Sequence, residues 1–447
     1  MNKDVLTRDP VELLDRNDPN AVREFVATAH PADLAAFLDE LPPESARDYL
    51  QSLTLPRRTG AFGYLRVETQ IALARCLDRR QLAQIVTEMN ADDRADLFNR
   101  LSPEQREALL PGLAQAERED IRRLAAHAEG TAGAIMTSDY ATLGPELTAR
   151  EALEVLRREA PDKETIYRAY VLDRDRHLIG SVRLQDLILA APETRVADVM
   201  ERDALAVRLD EDQEEVAHKI ARYDVLAVPV VDSESRLVGI VTHDDALDAL
   251  EEEATEDFHR IATVGKLTES LRGASVGLLY RKRIVWLALL VFGNLFSGAG
   301  IAYFEDTIAA YVALVFFLPL LIDSSGNAGS QAATMMVRAL ATGDVVIRDW
   351  GRMLGRELLV ALGLGLTMAA AVAPIGFVRG SPEIALVVAL TMVFVVLIGS
   401  IIGMSLPFLL SRLRLDPATA SAPLVTSIAD ATGVVIYFAI ATAFLLR

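Results

Sequence analysis

Residues 421–446 read SAPLVTSIADATGVVIYFAIATAFLL, and their one charged side chain is Asp430. A helix of about 20 apolar residues is long enough to cross a bilayer. A carboxylate inside the hydrocarbon region costs free energy unless it contacts water, a cation or another polar group. The stretch therefore predicts a membrane-spanning helix in which Asp430 has a function.

Four further apolar segments precede this one, and together the five predict a membrane domain over residues 273–447. Lys and Arg residues are concentrated before the first segment, between the second and third, and between the fourth and fifth. Because positively charged loops stay in the cytoplasm, this pattern predicts a cytoplasmic N-terminus and a C-terminus outside the cell. The five segments are residues 284–303, 308–337, 354–378, 384–410 and 421–446.

The second of these segments contains a run of polar residues. Pro319 and Asp323 are followed by SSGNAGSQ at residues 324–331. Irregular backbone at membrane depth is tolerated where it is buried in protein or lines a water-filled cavity. We therefore expect the helix to be interrupted here. The polar residues expected to share one helical face are Asn327, Gln331, Thr334 and Arg338.

The negative charge of the chain lies before the membrane segments. Residues 272–447 hold 9 acidic and 12 basic side chains of the total 63 and 45, which leaves 54 acidic and 33 basic in residues 1–271. Such a surface repels nucleic acids and anionic lipids and attracts cations. We therefore expect cations, and no nucleic acid, as partners of the acidic part.

The start of the chain and its few cysteine and histidine residues bear on three features: a signal peptide, disulfides and structural zinc. The sequence begins Met1-Asn2-Lys3-Asp4, without the apolar core of a cleaved signal peptide. Cys76 is the single cysteine, and the six histidines lack the paired spacing of a zinc site. We expect neither a disulfide within the chain nor structural zinc.

Residues 1–127 read as short amphipathic helices. A weak repeat is visible at an offset of 60, because His30-Pro31-Ala32-Asp33 and Leu41-Pro42-Pro43-Glu44 recur as Asn90-Ala91-Asp92-Asp93 and Leu101-Ser102-Pro103-Glu104. Each copy contains a helix cap, a helix and a next helix that starts with proline. Stacked helical hairpins of this kind predict an all-α superhelical domain.

Residues 128–250 change to a pattern of strands and helices. Apolar strands at 168–173 and 178–182 flank an Asp turn, and the same pattern recurs at 226–232 and 237–242. Each copy ends where a helix begins, at Leu184 and at His243. This duplicated α/β unit resembles a tandem pair of cystathionine-β-synthase (CBS) domains. The resemblance implies a module that senses a ligand and regulates another part of the protein.

A charged helix connects this module to the membrane segments. It is predicted from Asp244 to about Gly265, within a connecting region at residues 244–272, and it carries Glu251-Glu252-Glu253. Its apolar residues follow helical spacing, at Leu247, Leu250 and Ala254. Its position suits it to transmit a signal to the membrane domain.

Three motifs, with this domain order, resemble the MgtE family of Mg²⁺ channels. The motifs are SGNAGSQ at 325–331, VRALATGD at 337–344 and PLVTSIADATG at 423–433. The resemblance covers nearly the whole chain. It implies a homodimer in the bacterial inner membrane, a pore built from both subunits, and Asp430 as the carboxylate that attracts Mg²⁺. Many family members carry a small residue where this chain has Asp323.

The expected fold class is therefore a multidomain membrane protein. It combines an all-α superhelical N domain, α/β tandem CBS domains and an α-helical transmembrane bundle.

The chemistry of Mg²⁺ suggests how such a pore works. Mg²⁺ loses its water slowly and prefers octahedral oxygen ligands, so we expect Asp430 of two chains to hold the hydrated ion through its waters. Flow needs no ATP, because an inside-negative potential drives a divalent cation inward and the chain has no P-loop motif. The candidate pore residues are Asp430, Asn327, Thr426, Ala429, Gly433 and Asp323.

Carboxylates of the acidic part are candidates for regulatory Mg²⁺ sites. At low Mg²⁺ they would repel one another, and bound ions would neutralise this repulsion and draw the connecting helices over the pore. The hypothesis is negative feedback by intracellular Mg²⁺, against the simpler interpretation that each acid is a solvated surface charge. The candidates are Asp92, Asp93, Asp96, Asp210, Glu214, Asp224, Asp244, Asp245, Asp248, Glu252 and Glu256.

CBS pairs often bind adenine nucleotides, with a Thr/Ser-x-x-Asp motif that holds the ribose. Thr242-His243-Asp244-Asp245 fits this motif, and the stretch from Ser181 to Asp186 fits it less well. The candidate nucleotide residues are therefore Thr242, Asp245, Ser181 and Asp186, with ATP as a modulator.

Two alternatives stay open at this point. Asp323 and Asp430 on two membrane helices have the residue types of an intramembrane aspartyl protease, in which paired acids share a proton. Neither acid follows a Gly-x-Gly sequence, however, and a CBS regulator would be unusual in such an enzyme. The other alternative is a CBS-regulated transporter of a different divalent cation such as Co²⁺, or a Na⁺-coupled Mg²⁺ carrier.

Overall fold

A computed structural model describes residues 19–202, 205–262, 274–420 and 422–446 of the chain. The chain divides into two compact units, Met1–Glu253 and Ala254–Arg447. Each unit has its own hydrophobic core, and each is described by itself.

The first unit begins with a series of short helices, as predicted. Their starts confirm the repeat, because Pro31 and Ala91 begin one pair of helices and Pro43 and Pro103 begin another, each pair 60 residues apart. Phe37, Phe62 and Leu50 are fully buried where the helices pack together. The helices are α1 (Pro19–Thr28), α2 (Pro31–Asp39), α3 (Pro43–Ser52), α4 (Leu55–Gly63), α5 (Val67–Cys76), α6 (Arg79–Glu88), α7 (Ala91–Arg100), α8 (Pro103–Leu109) and α9 (Gln115–Leu124).

Two three-stranded sheets follow, and their topology is the same. In each sheet the first strand pairs with the second in parallel, and the second pairs with the third as an antiparallel hairpin. The strands are β1 (Tyr140–Leu143), β2 (Thr165–Leu172), β3 (Leu178–Arg183), β4 (Val207–Arg208), β5 (Ala227–Val231) and β6 (Leu237–Thr242). The helices are α10 (Ala149–Glu159), α11 (Leu184–Leu189), α12 (Val196–Val199) and α13 (Gln213–Tyr223).

Both hairpins are closed by the aspartate of the predicted turn. Asp173 Oδ1 accepts hydrogen bonds from the backbone N–H groups of Asp175 and His177, each at 2.9 Å. Asp232 Oδ1 accepts the equivalent pair of bonds in the second hairpin, at 2.8 and 2.9 Å. Because these bonds fix the turn, the duplicated aspartate has a structural role.

The connecting helix α14 (His243–Ile261) starts directly after β6, as predicted. Its C-terminal part belongs to the second unit, which begins at Ala254. The predicted end near Gly265 lies outside the described residues.

The second unit contains helices at all five predicted membrane segments. Four helices of the described residues are long and apolar enough to cross a membrane; they cover Val276–Tyr303, Ile347–Arg379, Pro382–Arg412 and Ala422–Leu445. α17 is as long as these but contains the polar run. The helices are α15 (Val276–Tyr303), α16 (Glu305–Ala310), α17 (Ala313–Ala341), α18 (Trp350–Arg379), α19 (Pro382–Arg412) and α20 (Ala422–Leu445).

The expected interruption of the second segment is wrong. α17 is continuous through Pro319 and through the polar run. The hydroxyl groups of that run bind carbonyl oxygens: Ser324 Oγ donates to Leu320 O at 2.6 Å, and Ser325 Oγ donates to Val395 O of α19 at 2.8 Å. Because these polar groups have partners within the protein, the helix needs no break to satisfy them.

α17 and α19 cross at backbone distance. A Cβ atom built on Gly403 would lie 1.9 Å from the carbonyl oxygen of Gly329, and one built on Gly399 would lie 2.3 Å from that of Ser325. Small residues permit such close packing of membrane helices. This crossing fixes α17, and α20 packs against both helices.

Candidate functional site

The polar residues of the membrane unit meet where α17 approaches α20. A Cβ atom on Gly326 would lie 2.6 Å from Cγ2 of Thr426 and 3.5 Å from Oδ1 of Asp430. Glycine at this position therefore lets the carboxylate of α20 lie directly against the backbone of α17. Two of the predicted pore residues, Thr426 and Asp430, are brought to this contact.

Asp323 and Asn327 extend the contact along α17. Asn327 Nδ2 donates a hydrogen bond of 3.0 Å to Asp323 Oδ2, one helical turn earlier. Both side chains are exposed in the isolated chain. Since Asp323 lies three residues before Gly326, it projects from the same side of the helix.

Hydroxyl groups add oxygen atoms near the start of α20. Thr426 Oγ1 donates to the carbonyl of Ala422 at 2.7 Å, and Ser330 Oγ of α17 donates to the same carbonyl at 3.3 Å. The hydroxyl oxygens keep lone pairs that can accept hydrogen bonds from water. The region is therefore suited to contact a hydrated cation.

Two other predicted pore residues are directed elsewhere. Ala429 and Gly433 are buried, and a Cβ atom on Gly433 would lie 3.9 Å from Cγ1 of Val395 on α19. Their position favours helix packing as the role of their side chains. The predicted polar face of α17 is present, because Asn327, Gln331, Thr334 and Arg338 are all exposed.

A second concentration of acids lies within the first unit, where α7 and the start of α14 come together. Small apolar residues hold the two helices, with Ala91, Ala95 and Ala246 buried in one shared core. Seven predicted acids lie here with two that were not predicted, Asp139 and Glu164. We call this group the acidic cluster: Asp92, Asp93, Asp96, Asp139, Glu164, Asp244, Asp245, Asp248 and Glu252.

The contacts inside the acidic cluster leave carboxylate oxygens without partners. The carboxyl groups of Asp92 and Asp245 lie within hydrogen-bond distance of each other, and the Thr242 hydroxyl donates to Asp245 Oδ2. Asn90 Nδ2 donates to Glu164 Oε1 at 2.9 Å. Asp92 Oδ1 and Glu164 Oε2, however, are buried and have no hydrogen-bond partner. Buried unpaired oxygens of acids mark a place where a cation would be stabilised.

The pKa values of the acidic cluster reflect its crowding. Burial, followed by the charge of neighbouring acids, raises the pKa of Asp93 to about 7, of Glu164 to about 8 and of Asp245 to about 9. Burial also raises the pKa of Asp92 and Asp96. Three basic residues offset part of this charge. Arg100 pairs with Asp96 at 3.3 Å, and Arg94 and Lys163 act on Asp139.

The remaining predicted regulatory acids lie outside the acidic cluster. Asp210 pairs with Arg208 at 3.0 Å on the surface, and this contact lowers the pKa of Asp210. Glu214 lies in the first turn of α13. Asp224 ends that helix with a left-handed φ of 51°.

Glu256 belongs to the second unit and binds a basic side chain there. Arg260 forms ion pairs with Glu256, on the same helix, and with Asp416, which precedes α20. Ile261 packs beside Val337 in a small apolar cluster. In this arrangement the guanidinium group of Arg260 lies between the two carboxylates.

A groove of about 560 Å³ lies between the two CBS-like units. Tyr167, Arg168 and Arg183 line it on one side, and Asp224 and Leu226 line it on the other. An adjoining cavity of about 430 Å³ shares Arg183 and is lined by Asp186 and Glu201.

Of the four predicted nucleotide residues, Asp186 alone lines these two cavities. Ser181 is buried and accepts a hydrogen bond from Arg168 at 2.7 Å. Thr242 and Asp245 bind each other within the acidic cluster.

Sequence reasoning missed Glu164 and Asp139. Each directly precedes a strand of the first sheet, and neither lies in one of the predicted motifs. The one available signal was their position at the start of strands, where an exposed acid is unremarkable. Their role depends on the packing of α7 against the sheets.

Family models match three parts of the chain. A model described as MgtE, divalent cation transporter, matches residues 318–440. The MgtE intracellular N domain matches residues 29–130, and the CBS domain matches residues 132–193 and 196–252.

Individual proteins match over almost the full length. The magnesium transporter MgtE of Thermus thermophilus is 39% identical over 433 residues, which are 96% of this chain and 96% of that protein. The magnesium transporter MgtE of Bacillus subtilis is 34% identical over 424 residues, 95% and 94% of the two chains. A crystal structure of the cytosolic domain of the Mg²⁺ channel MgtE in complex with ATP is 40% identical, covers 54% of this chain and 98% of that one, and has a TM-score of 0.50.

Proposed function

Since the chain belongs to the MgtE family of divalent cation transporters, we propose that it conducts Mg²⁺ passively into the cell and that intracellular Mg²⁺ closes it. Its full-length relatives in Thermus thermophilus and Bacillus subtilis are magnesium transporters. The chain is a transporter and not an enzyme, so the intramembrane protease is no longer an alternative.

The observation that carries the proposal is the position of Asp430 beside Gly326. The carboxylate lies against the backbone of a neighbouring membrane helix, among hydroxyl and amide groups. An acid at this depth requires water or a cation. Asp430, Thr426, Asn327 and Asp323 are the proposed pore side chains, and Ala429 and Gly433 are proposed to contribute through their backbone.

The mechanism follows from the hydration of Mg²⁺. Because the ion releases its water slowly, a pore that binds it through its water molecules conducts faster than one that strips them. Hydroxyl and carboxylate oxygens can accept hydrogen bonds from that water shell. A divalent ion gains about 4.6 kcal/mol per 100 mV of inside-negative potential, twice the figure for a single charge. No further energy source is needed.

Closure is proposed to depend on the acidic cluster. The nine acids outnumber their basic neighbours and repel one another, and Asp92 and Glu164 each have a buried oxygen without a hydrogen-bond partner. Mg²⁺ bound there would stabilise the compact arrangement of the first unit by mass action. Outside the acidic cluster, Glu256, Glu214 and Asp224 are proposed as further regulatory sites. Asp210, which pairs with Arg208 on the surface, is proposed to have no regulatory role.

The assembly and orientation are further parts of the proposal. We propose a homodimer in the bacterial inner membrane, with a cytoplasmic N-terminus and a C-terminus outside. The domains are proposed as residues 1–127, 128–250, a connecting region at 244–272 and a membrane domain at 273–447. Cross-linking of the detergent-solubilised chain would test the dimer, and a monomer at all concentrations would contradict it.

Mg²⁺ flux into proteoliposomes tests the function directly. The native chain is reconstituted with a Mg²⁺-sensitive dye inside and an imposed inside-negative potential. Flux that follows the potential without Na⁺ supports a passive Mg²⁺ pathway. Flux that requires a Na⁺ gradient would support a coupled carrier, and flux of Co²⁺ without Mg²⁺ would move the substrate to another divalent ion.

Binding of Mg²⁺ to the acidic cluster is expected to release protons. Separated acids have ordinary pKa values of about 4 and lose their protons below neutral pH. Because the pKa values in the cluster are raised, the compact arrangement still holds protons at a pH where separated acids have lost them. The protons therefore stabilise it at low pH, and this stabilisation is lost as the pH rises through about 7 to 9. Mg²⁺ replaces those protons, because metal ligands must be deprotonated.

The measurement is the pH change of a weakly buffered solution of the purified chain on addition of Mg²⁺. Proton release is expected near pH 7.5 and should vanish near pH 10, where the acids are already ionised. An Asp92→Asn/Asp245→Asn variant should release fewer protons. Equal release by the variant and the native chain would contradict the assignment.

ATP is proposed to bind in the groove between the CBS-like units. Arg168 and Arg183 supply positive charge for phosphates, and the exposed ring of Tyr167 offers a surface for the base. Arg183→Ala is expected to weaken ATP binding about tenfold or more, since hydrogen bonds between charged groups contribute about 1.5–3 kcal/mol. Calorimetric titration measures this. The control is Arg150→Ala, which changes an exposed arginine of α10 that pairs with Glu193 outside the groove. Unchanged affinity in Arg183→Ala would contradict the site.

A further inference from the structure

Asp323 is an acid on α17 that lies close to the contact between α17 and α20. It lies one turn before Asn327, which donates a 3.0 Å hydrogen bond to it. It also lies three residues before Gly326, the point at which α17 comes within contact distance of Asp430. Residues at these spacings share one face of a helix, so Asp323 projects beside the contact between α17 and α20.

No basic side chain among the described residues offsets the charge of Asp430. The negative charge of Asp323 acts on the Asp430 carboxylate. The Asn327 amide holds Asp323 but brings no charge. Two like charges in a medium of low polarity raise the energy of the empty site, and a cation between them lowers it.

We propose that Asp323 is a second carboxylate of the ion pathway and that it strengthens the preference for divalent over monovalent cations. The inference rests on the proposed function, because it assigns a role at the same pore. The inference concerns the ion selectivity of the pathway, whereas the proposed function concerns whether the pathway exists.

The effect on selectivity follows from the charge of the ion. The same potential acts twice as strongly on a divalent cation as on a monovalent one. If the charge of Asp323 concentrates Na⁺ about fivefold, it therefore concentrates Mg²⁺ about twenty-five-fold. Loss of the charge should weaken Na⁺ binding by some factor and should weaken Mg²⁺ binding by about the square of that factor. A variant that only distorted the local structure would not be expected to weaken Mg²⁺ and Na⁺ binding in this ratio.

The experiment compares native chain, Asp323→Asn and Asp323→Glu in the proteoliposome assay. In Asp323→Asn we expect the Mg²⁺ concentration for half-maximal flux to rise about tenfold or more. At a fixed Mg²⁺ concentration that saturates the native chain, inhibition by Na⁺ should become stronger, because Mg²⁺ binding weakens more than Na⁺ binding. Asp323→Glu keeps the charge and should restore most of the native affinity. Glu305→Gln removes an exposed acid of the same unit outside the site and serves as the control.

The outcomes separate this inference from the proposed function. Native flux with an unchanged half-maximal concentration and Na⁺ inhibition in Asp323→Asn would overturn the role of Asp323 and leave the pathway intact. Equal losses for Mg²⁺ and Na⁺, without rescue by glutamate, would also overturn it. No flux in the native chain would count against the proposed function itself. If Asp323→Asn does not assemble, Asp323→Ser is the second neutral variant.

Discussion

Asp430→Asn is expected to lose almost all voltage-driven Mg²⁺ flux. The change keeps the size of the side chain and removes the charge that lies beside Gly326. Two unit charges about 4 Å apart interact by about 1 kcal/mol in bulk water, so a divalent ion loses about 2 kcal/mol and more where water is excluded. That corresponds to at least about a thirtyfold weaker site. Dye-loaded proteoliposomes under an imposed potential measure the loss.

The control for Asp430→Asn is Asp306→Asn, which removes an exposed acid of α16. Both variants change the net charge equally, so a general effect of charge on reconstitution would appear in both. Flux in Asp430→Asn within about twofold of the native chain would show that the ion follows another path.

Asp92→Asn/Asp245→Asn is expected to remove the closure of the pathway by Mg²⁺. These two acids touch each other at the centre of the acidic cluster. Their amides cannot bind Mg²⁺ as carboxylates do, while the remaining acids still repel one another. Mg²⁺ at 100 times its Kd would stabilise the native compact arrangement by about 2.7 kcal/mol, and the variant forfeits this. Flux should therefore continue at millimolar Mg²⁺ on the cytoplasmic face.

Asp210→Asn is the matched control for the acidic cluster. Asp210 was an equally plausible regulatory acid in the sequence, but it lies on the surface in an ion pair with Arg208. The control should close at the native Mg²⁺ concentration. Closure of the double variant at that same concentration would remove the acidic cluster from the mechanism.

Much of the fold could be predicted because its patterns are local. The 60-residue repeat of α2 and α7 appears in the caps and prolines that start the helices. The two hairpins appear in alternating apolar strands around an aspartate. The strands β1 and β4 were not predicted, because four and two residues are too few to show a period.

The continuity of α17 could not be predicted from its residues. Serine, glycine and asparagine have low helix propensity, and a run of them favours a break. Contacts with α19 reverse that preference, because Ser325 finds a carbonyl partner there and Gly329 lets the backbones touch. Tertiary packing decides the conformation of such a segment, and a single sequence does not reveal the packing.

The residues of the acidic cluster were predicted more easily than their arrangement. Charge runs pointed to α7 and α14, but the contact between Asp92 and Asp245 joins positions far apart in the sequence. Glu164 enters the cluster only through the fold. Asp186, predicted as a nucleotide residue, lines a cavity of the CBS-like units. Asp224 was predicted as a regulatory acid, but it lines the groove between these units and lies away from the acidic cluster.

The close crossing of Gly403 and Gly329 has a mechanical consequence. Two helices whose backbones touch cannot slide or roll past each other without first separating, so α17 and α19 behave as one stiff strut. α20 meets this strut through side chains, among them Val425, Thr426 and Asp430 beside the glycines of α17, and side chains can turn about their bonds. Movement that widens the membrane unit should therefore occur along α20. Asp323 lies on α17 and Asp430 lies on α20, so the distance between the two carboxylates reports how far α20 has moved from α17.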